Sequence, residues 1–159
     1  MLLGPATKWS LIAAASLVLA PVLLFAILSL TSRRPTNLGP VAGKLRACPD
    51  SPNCVCSCGD SASHAIAPIV WKGSPQDGLR RLRQCLARLP NARINSVADE
   101  NYLHVECTSA WFRFVDDVEF LIDTDAGVIH VRSASRVGHS DLGANRNRVE
   151  QIRKMFDAE

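Results

Sequence analysis

Between residues 112 and 150 the chain places acids, arginines and hydroxyls at spacings that a β-hairpin brings together. Folded about a turn made of Thr124, Asp125, Ala126 and Gly127, Asp123 faces Val128, Ile122 faces Ile129, Phe120 faces Val131 and Glu119 faces Arg132. One face of this pair is apolar. The other carries Asp117, Glu119, His130, Arg132 and Arg136, more charge than solubility requires. The candidate functional cluster comprises Asp116, Asp117, Glu119, Arg132, Ser133, Ser135, Arg136, His139, Asp141, Asn145 and Arg146.

Three chemistries fit these residue types. Asp117, Glu119, His139 and Asp141 transfer protons when their pKa values are tuned, which would suit a hydrolase-like enzyme drawing on carboxylates of the 116–141 region. Arg132, Arg136 and Arg146 can grip a small anionic ligand near the start of the last helix, where Asn145 and backbone donors also point, although Asp141 would oppose an anion there. The plainer reading is a cross-strand ladder on a half-exposed sheet, with Glu119 paired to Arg132 and Asp117 diagonal to Arg136. The ladder is favoured. Neither a Gly-rich phosphate loop nor a nucleophile elbow is present, since Ser133 and Ser135 lack flanking glycines.

A second cluster is CPDSPNCVCSCGDSASH, with Cys48, Cys54, Cys56, Cys58 and His64. Thiolates and imidazole are ligands for zinc or copper(I), but the spacing lacks the two separate knuckles of a structural zinc site, so no metal and no cofactor is assigned. A disulfide between Cys48 and Cys54 closing a proline-rich loop is the favoured reading, with free thiols as the alternative.

The elements that must position these groups follow from periodicity. Residues 9–31 contain no charged side chain, and about 20 residues suffice to cross a bilayer core, so residues 1–31 read as an uncleaved anchor contacting the lipid bilayer through 9–31. Pro21 is tolerated in such a helix. Residues 32–47, with two prolines and two glycines, read as a linker lifting the domain off the membrane. Residues 48–159 form the domain. A strand is expected over 66–71, confined to an edge by Pro68, then a helix over 75–89 with Leu79, Leu82, Leu86 and Leu89 on one face. Strands follow at 93–98 and 102–109 around a turn at Asp99, Glu100 and Asn101, with Leu103, Val105 and Cys107 on one side and His104 and Glu106 on the other. The hairpin strands span about 117–123 and 128–135. A last helix over 143–156, capped by Asp141 or Ser140, buries Val149, Ile152 and Phe156. The fold class is α+β: an antiparallel meander packed against two amphipathic helices, preceded by a transmembrane helix.

Charge excludes a nucleic-acid role. Of the 18 Lys and Arg, four (Lys8, Arg33, Arg34 and Lys44) precede Leu45, whereas all 15 Asp and Glu follow it, so the net +3 belongs to the anchor's flanks. Arg80, Arg81, Arg83 and Arg88 read as the solvated face of a helix. Loop charge mildly favours a cytoplasmic domain; the cysteine density favours an oxidising compartment, and the extracytoplasmic side is expected.

Three stretches, CPDSPNCV from Cys48, FRFVDDVEF from Phe112 and VIHVRSASRVGHSDLGANRNRVE from Val128, resemble the family called domain of unknown function 1499, in the family's order and over about residues 48–156. Serines usually follow the first motif, so Cys56 and Cys58 depart from the pattern, as does His139 where tyrosine is usual. The resemblance implies an exported or membrane-linked protein without an established activity. A single-pass membrane protein with a binding or assembly role, engaging a protein partner or a small anionic ligand, is therefore expected ahead of catalysis.

Overall fold

The computed structural model describes residues 4–59, 61–95 and 101–158. Helix α1 (Pro5–Leu30) continues through Pro21 and turns its apolar side chains outward, and by length and composition it is able to cross a membrane. Strand β1 (Cys54–Cys56) and strand β2 (Ile69–Val70) precede α2 (Pro75–Ala87). Then come β3 (Ala92–Asn95), β4 (Tyr102–Thr108), β5 (Val115–Asp123), β6 (Val128–Ser135) and α3 (Ala144–Asp157). The sheet order is β1-β6-β5-β4-β3, antiparallel throughout, with β2 also on the outer edge of β6. The fold is α+β, as expected.

The β5–β6 register pairs Glu119 with Arg132, Phe120 with Val131, Ile122 with Ile129 and Asp123 with Val128, as the alternation demands. The turn supports it locally: Asp123 Oδ1 accepts from the amides of Asp125 and Ala126, and Gly127 takes the left-handed φ of +66° that closes the loop. Residues 96–98 of the expected third strand, with Asp99 and Glu100 of the turn after it, lie outside the described residues.

Both domain helices cover one sheet face. Ser74 caps α2 by accepting from Asp77 N, and Pro75 sits where its missing N–H costs nothing. Leu82, Cys85 and Leu86 of α2 and Val149, Ile152 and Phe156 of α3 bury against Leu103, Val105, Val118, Phe120, Ile129 and Val131. Each large apolar side chain buried this way stabilises the fold by roughly 1.5–3 kcal/mol. The Trp71 ring lies so close over Gly78 that a Cβ there would meet it at 3.2 Å, which makes glycine the fitting residue in mid-helix. Arg81 closes the end of α3, lying over the Phe156 ring at 4.7 Å and donating to its carbonyl at 2.9 Å.

Two features differ from expectation. Within the cysteine segment, β1 is a strand, because the free edge of β6 offers its three residues ladder partners at Arg132, Ser133 and Ala134. The segment 32–47 is not a free spacer. It crosses the other face of the sheet, where Leu45 buries against Cys56, Tyr102 and Leu121, and a tight turn with Val41 and Lys44 paired holds its shape.

Candidate functional site

Strand alternation divides the candidate cluster between the two sheet faces. On the face beneath the 32–47 strap lie Asp117, Glu119, Arg132 and Arg136, joined by Tyr102, His104 and Glu106. Glu119, 1% exposed, accepts from Gly39 N and Tyr102 Oη at 2.7 Å each and from Arg132 Nη1 at 3.0 Å. Asp117, 2% exposed, takes a bidentate grip from Arg136 at 2.8 and 2.9 Å. Arg136 also donates to Glu106. The ladder expected on a half-exposed sheet is present, but buried, since the strap shuts it from water.

His104 closes this network. Arg34 Nη2 at 2.8 Å and Asn95 Nδ2 at 3.1 Å both aim donors at its Nδ1, so that nitrogen accepts and the proton resides on Nε2, which donates to Asp117 Oδ1 at 2.7 Å. Burial opposes ionisation of Asp117, yet the hydrogen bonds from Arg136 and His104 outweigh it and hold the carboxyl below its ordinary range. The same contest, won by Arg136, lowers Glu106. Hydrogen bonds to Asp117 and Glu106 raise Arg136 despite its burial. Burial, then the adjoining Glu119 carboxylate, raises the Tyr102 phenol and keeps it a donor.

His104, Glu106 and Asp117 bring one potential ligand atom each within 4.8 Å of one another, the only such trio among the described residues. Metal geometry is nevertheless spoiled there. His104 Nε2 is spent on Asp117, and the Arg136 guanidinium bridges the two carboxylates where a cation would have to sit. In the cysteine segment Cys48 and Cys54 are bridged, with Cα atoms 5.7 Å apart, and His64 Nδ1 is bonded to the Cys54 carbonyl oxygen at 2.9 Å. Cys56 and Cys58 are free thiols, and burial raises Cys56.

On the helix face, Asp116, Ser133, Ser135 and Asn145 form a separate knot. Ser133 donates to Asn145 Oδ1, and Asn145 Nδ2 donates to Asn53 O at 2.9 Å and Ser135 Oγ at 3.0 Å. Arg148 completes it, reaching Asn145 Oδ1 at 2.8 Å and Asp116 Oδ2 at 2.6 Å. All three stretches that carry the family resemblance meet here, tying the disulfide loop to the start of α3.

The remaining candidates disperse. Asp141 caps α3, accepting from Gly143 N at 3.0 Å and Asn145 N at 2.7 Å. Arg146 donates to the carbonyls of Ala65 and Ser63, and His139 is exposed. The acid/base trio Asp117, Glu119 and Asp141 therefore does not converge, and each member is engaged by protein donors. The three arginines of the anion grip do not converge either. Sequence reasoning passed over Arg34, Tyr102, His104 and Arg148. Only the charged alternation of His104 and Glu106 along β4 signalled any of them.

A cleft of about 230 Å³ opens where α1 meets the domain. Phe25, Leu28, Phe114 and Val137 make its apolar walls, while Asp116, Ser135 and Asp141 supply polar groups.

A family model described as "Protein of unknown function (DUF1499)" matches residues 44–156, well over half of the chain. No curated protein and no solved structure matches significantly.

Proposed function

The chain belongs to the DUF1499 family, and from the geometry of its junction with α1 we propose that it is a single-pass membrane protein whose domain is a binding module for an amphiphile with an apolar tail. The observation that carries this is the cleft: its apolar side is built by Phe25 and Leu28 of the membrane-length helix together with Phe114 and Val137, and its polar side by Asp116, Ser135 and Asp141. A ligand with a hydrocarbon tail and a hydroxyl-bearing head matches both sides, and its route in from a bilayer is short. Catalysis is disfavoured because the carboxylates are held by arginines and amides instead of being poised for proton transfer. The Cys48–Cys54 bridge suits an oxidising compartment, which favours the extracytoplasmic side for the domain.

Native mass spectrometry of the full chain, released from a non-ionic detergent after exposure to medium-chain alkyl glycerols, tests the reading. One adduct per chain is expected for the wild type and none for Val137→Trp, whose indole fills the cleft. Equal occupancy in both, with unchanged circular dichroism, overturns it.

A further inference from the structure

Two loops flank the cleft, and both present large apolar side chains to the outside. In the β4–β5 loop Trp111 is 92% exposed and Phe112 39% exposed, with Arg113 beside them; in the loop before α3 Leu142 is 94% exposed. Isolated surface hydrophobics are ordinary, but these sit on the two loops that line the cleft, one through Ser109 and Phe114 and the other through Gly138, Ser140 and Asp141. Arg113 and Leu142 hold left-handed backbone, φ +54° and +53°, which non-glycine residues adopt only when the surroundings impose it.

Helix α1 sets the depth of these loops. The Phe25 ring packs on Phe112 at 4.9 Å and Phe114 at 6.0 Å between centroids. At a helical rise of about 1.5 Å per residue, Phe25 lies roughly 7 Å before Leu30, so the β4–β5 loop reaches back alongside the last turns of the uncharged segment. If α1 crosses a bilayer, whatever touches Phe25 is at the boundary between headgroups and acyl chains. Trp, Phe and Leu with an adjacent Arg suit that boundary: the indole is amphipathic, the aliphatic and phenyl groups leave water, and the guanidinium meets lipid phosphate.

We propose that the loops around Trp111 and Leu142 seat the domain in the membrane interface, with these two side chains at the acyl boundary and Arg113 at the level of the phosphates. The occupant of this surface is the lipid bilayer, and the inference rests on the reading of α1 as a spanning helix. Seated this way, the cleft opens directly at the headgroup layer.

The test uses the full chain in phosphatidylcholine and phosphatidylglycerol vesicles carrying doxyl groups at a shallow or a deep acyl position. The difference in tryptophan emission between Trp9→Phe and Trp9→Phe/Trp111→Phe isolates Trp111, while Trp71 is left in its buried place. Expected is stronger quenching of Trp111 by the shallow label than by the deep one, with acrylamide quenching several-fold weaker than for free N-acetyltryptophanamide. In Trp111→Phe, lipid quenching of Trp9 reports insertion of α1 independently. Lipid-quenched Trp9 with Trp111 open to acrylamide and blind to both labels overturns the seating while leaving the spanning helix standing. Silence from both tryptophans overturns the spanning reading and the seating with it.

Discussion

Replacing Glu119 with alanine separates a buried ion-pair network from an exposed ladder. On an exposed sheet a cross-strand pair contributes about 0.2–1 kcal/mol. Glu119 instead is 1% exposed and satisfies three donors, Gly39 N, Tyr102 Oη and Arg132 Nη1. Removing one partner of a buried pair costs about 3–5 kcal/mol, because a charge is left uncompensated away from water. The Arg132 side chain is 14% exposed and recovers some hydration, which places Glu119→Ala toward the lower end of that range. Arg132→Ala should cost at least as much, within the same range of about 3–5 kcal/mol, because the charge it strands is Glu119, more deeply buried than Arg132 and left with only the neutral Tyr102 and Gly39 donors. Glu119→Gln, which retains an acceptor for Gly39 and Tyr102, should fall below Glu119→Ala. The assay is urea unfolding of the full chain in mild detergent, followed by near-ultraviolet circular dichroism. Limited trypsin digestion adds an independent readout, because losing the Gly39 bond loosens the strap and frees the backbone after Lys44, whose side chain is already exposed, for cleavage in Glu119→Ala before the wild type. A cost for Glu119→Ala within about 1 kcal/mol of zero, with the strap still protected, would refute the reasoning, since it matches an exposed pair.

Asp117 and Glu106 have folded-state pKa values below their ordinary 3.8 and 4.5, so the unfolded chain binds protons first on acidification. Their stabilisation is fully present above those ordinary values and is lost as pH falls through the folded values; Arg136→Met should flatten the unfolding-versus-pH curve in that window, and an unchanged slope would contradict the assignment. Thiol titration of the unfolded, unreduced protein should find the four thiols of Cys56, Cys58, Cys85 and Cys107, whereas six would show that Cys48 and Cys54 are not bridged. After carbonate washing the protein should remain in the membrane fraction with its N-terminal residues intact; a soluble product beginning beyond Arg34 would identify residues 9–31 as a cleaved signal.

Local patterning determined much of the architecture. Alternation with a period of two, together with a four-residue turn ending in Gly127, leaves one register that puts Phe120, Ile122, Ile129 and Val131 on a common face, and Glu119 opposite Arg132 follows from it. Helical spacing likewise picked out Leu82 and Leu86, and Val149, Ile152 and Phe156, as the buried sides of α2 and α3. The uncharged run before Ser32 needed nothing beyond composition.

Tertiary structure decided the environment of the charges. Arg34 meets His104 across 70 residues and Gly39 meets Glu119 across 80, contacts that no local period encodes. That strap turned the polar face from a solvated ladder into a buried network, and it did so with a segment whose prolines and glycines gave no periodic signal. Grouping Asp116, Ser133 and Ser135 with Asp117 and Arg132 followed proximity along the chain, while the pleat sends them to opposite sides, toward Asn145 and Arg148. Asp141 was drawn to the α3 amides instead of toward a shared site. Short-range spacing specifies which side chains can be neighbours on one strand pair; whether their charges face water, protein or lipid depends on what the rest of the chain lays over them.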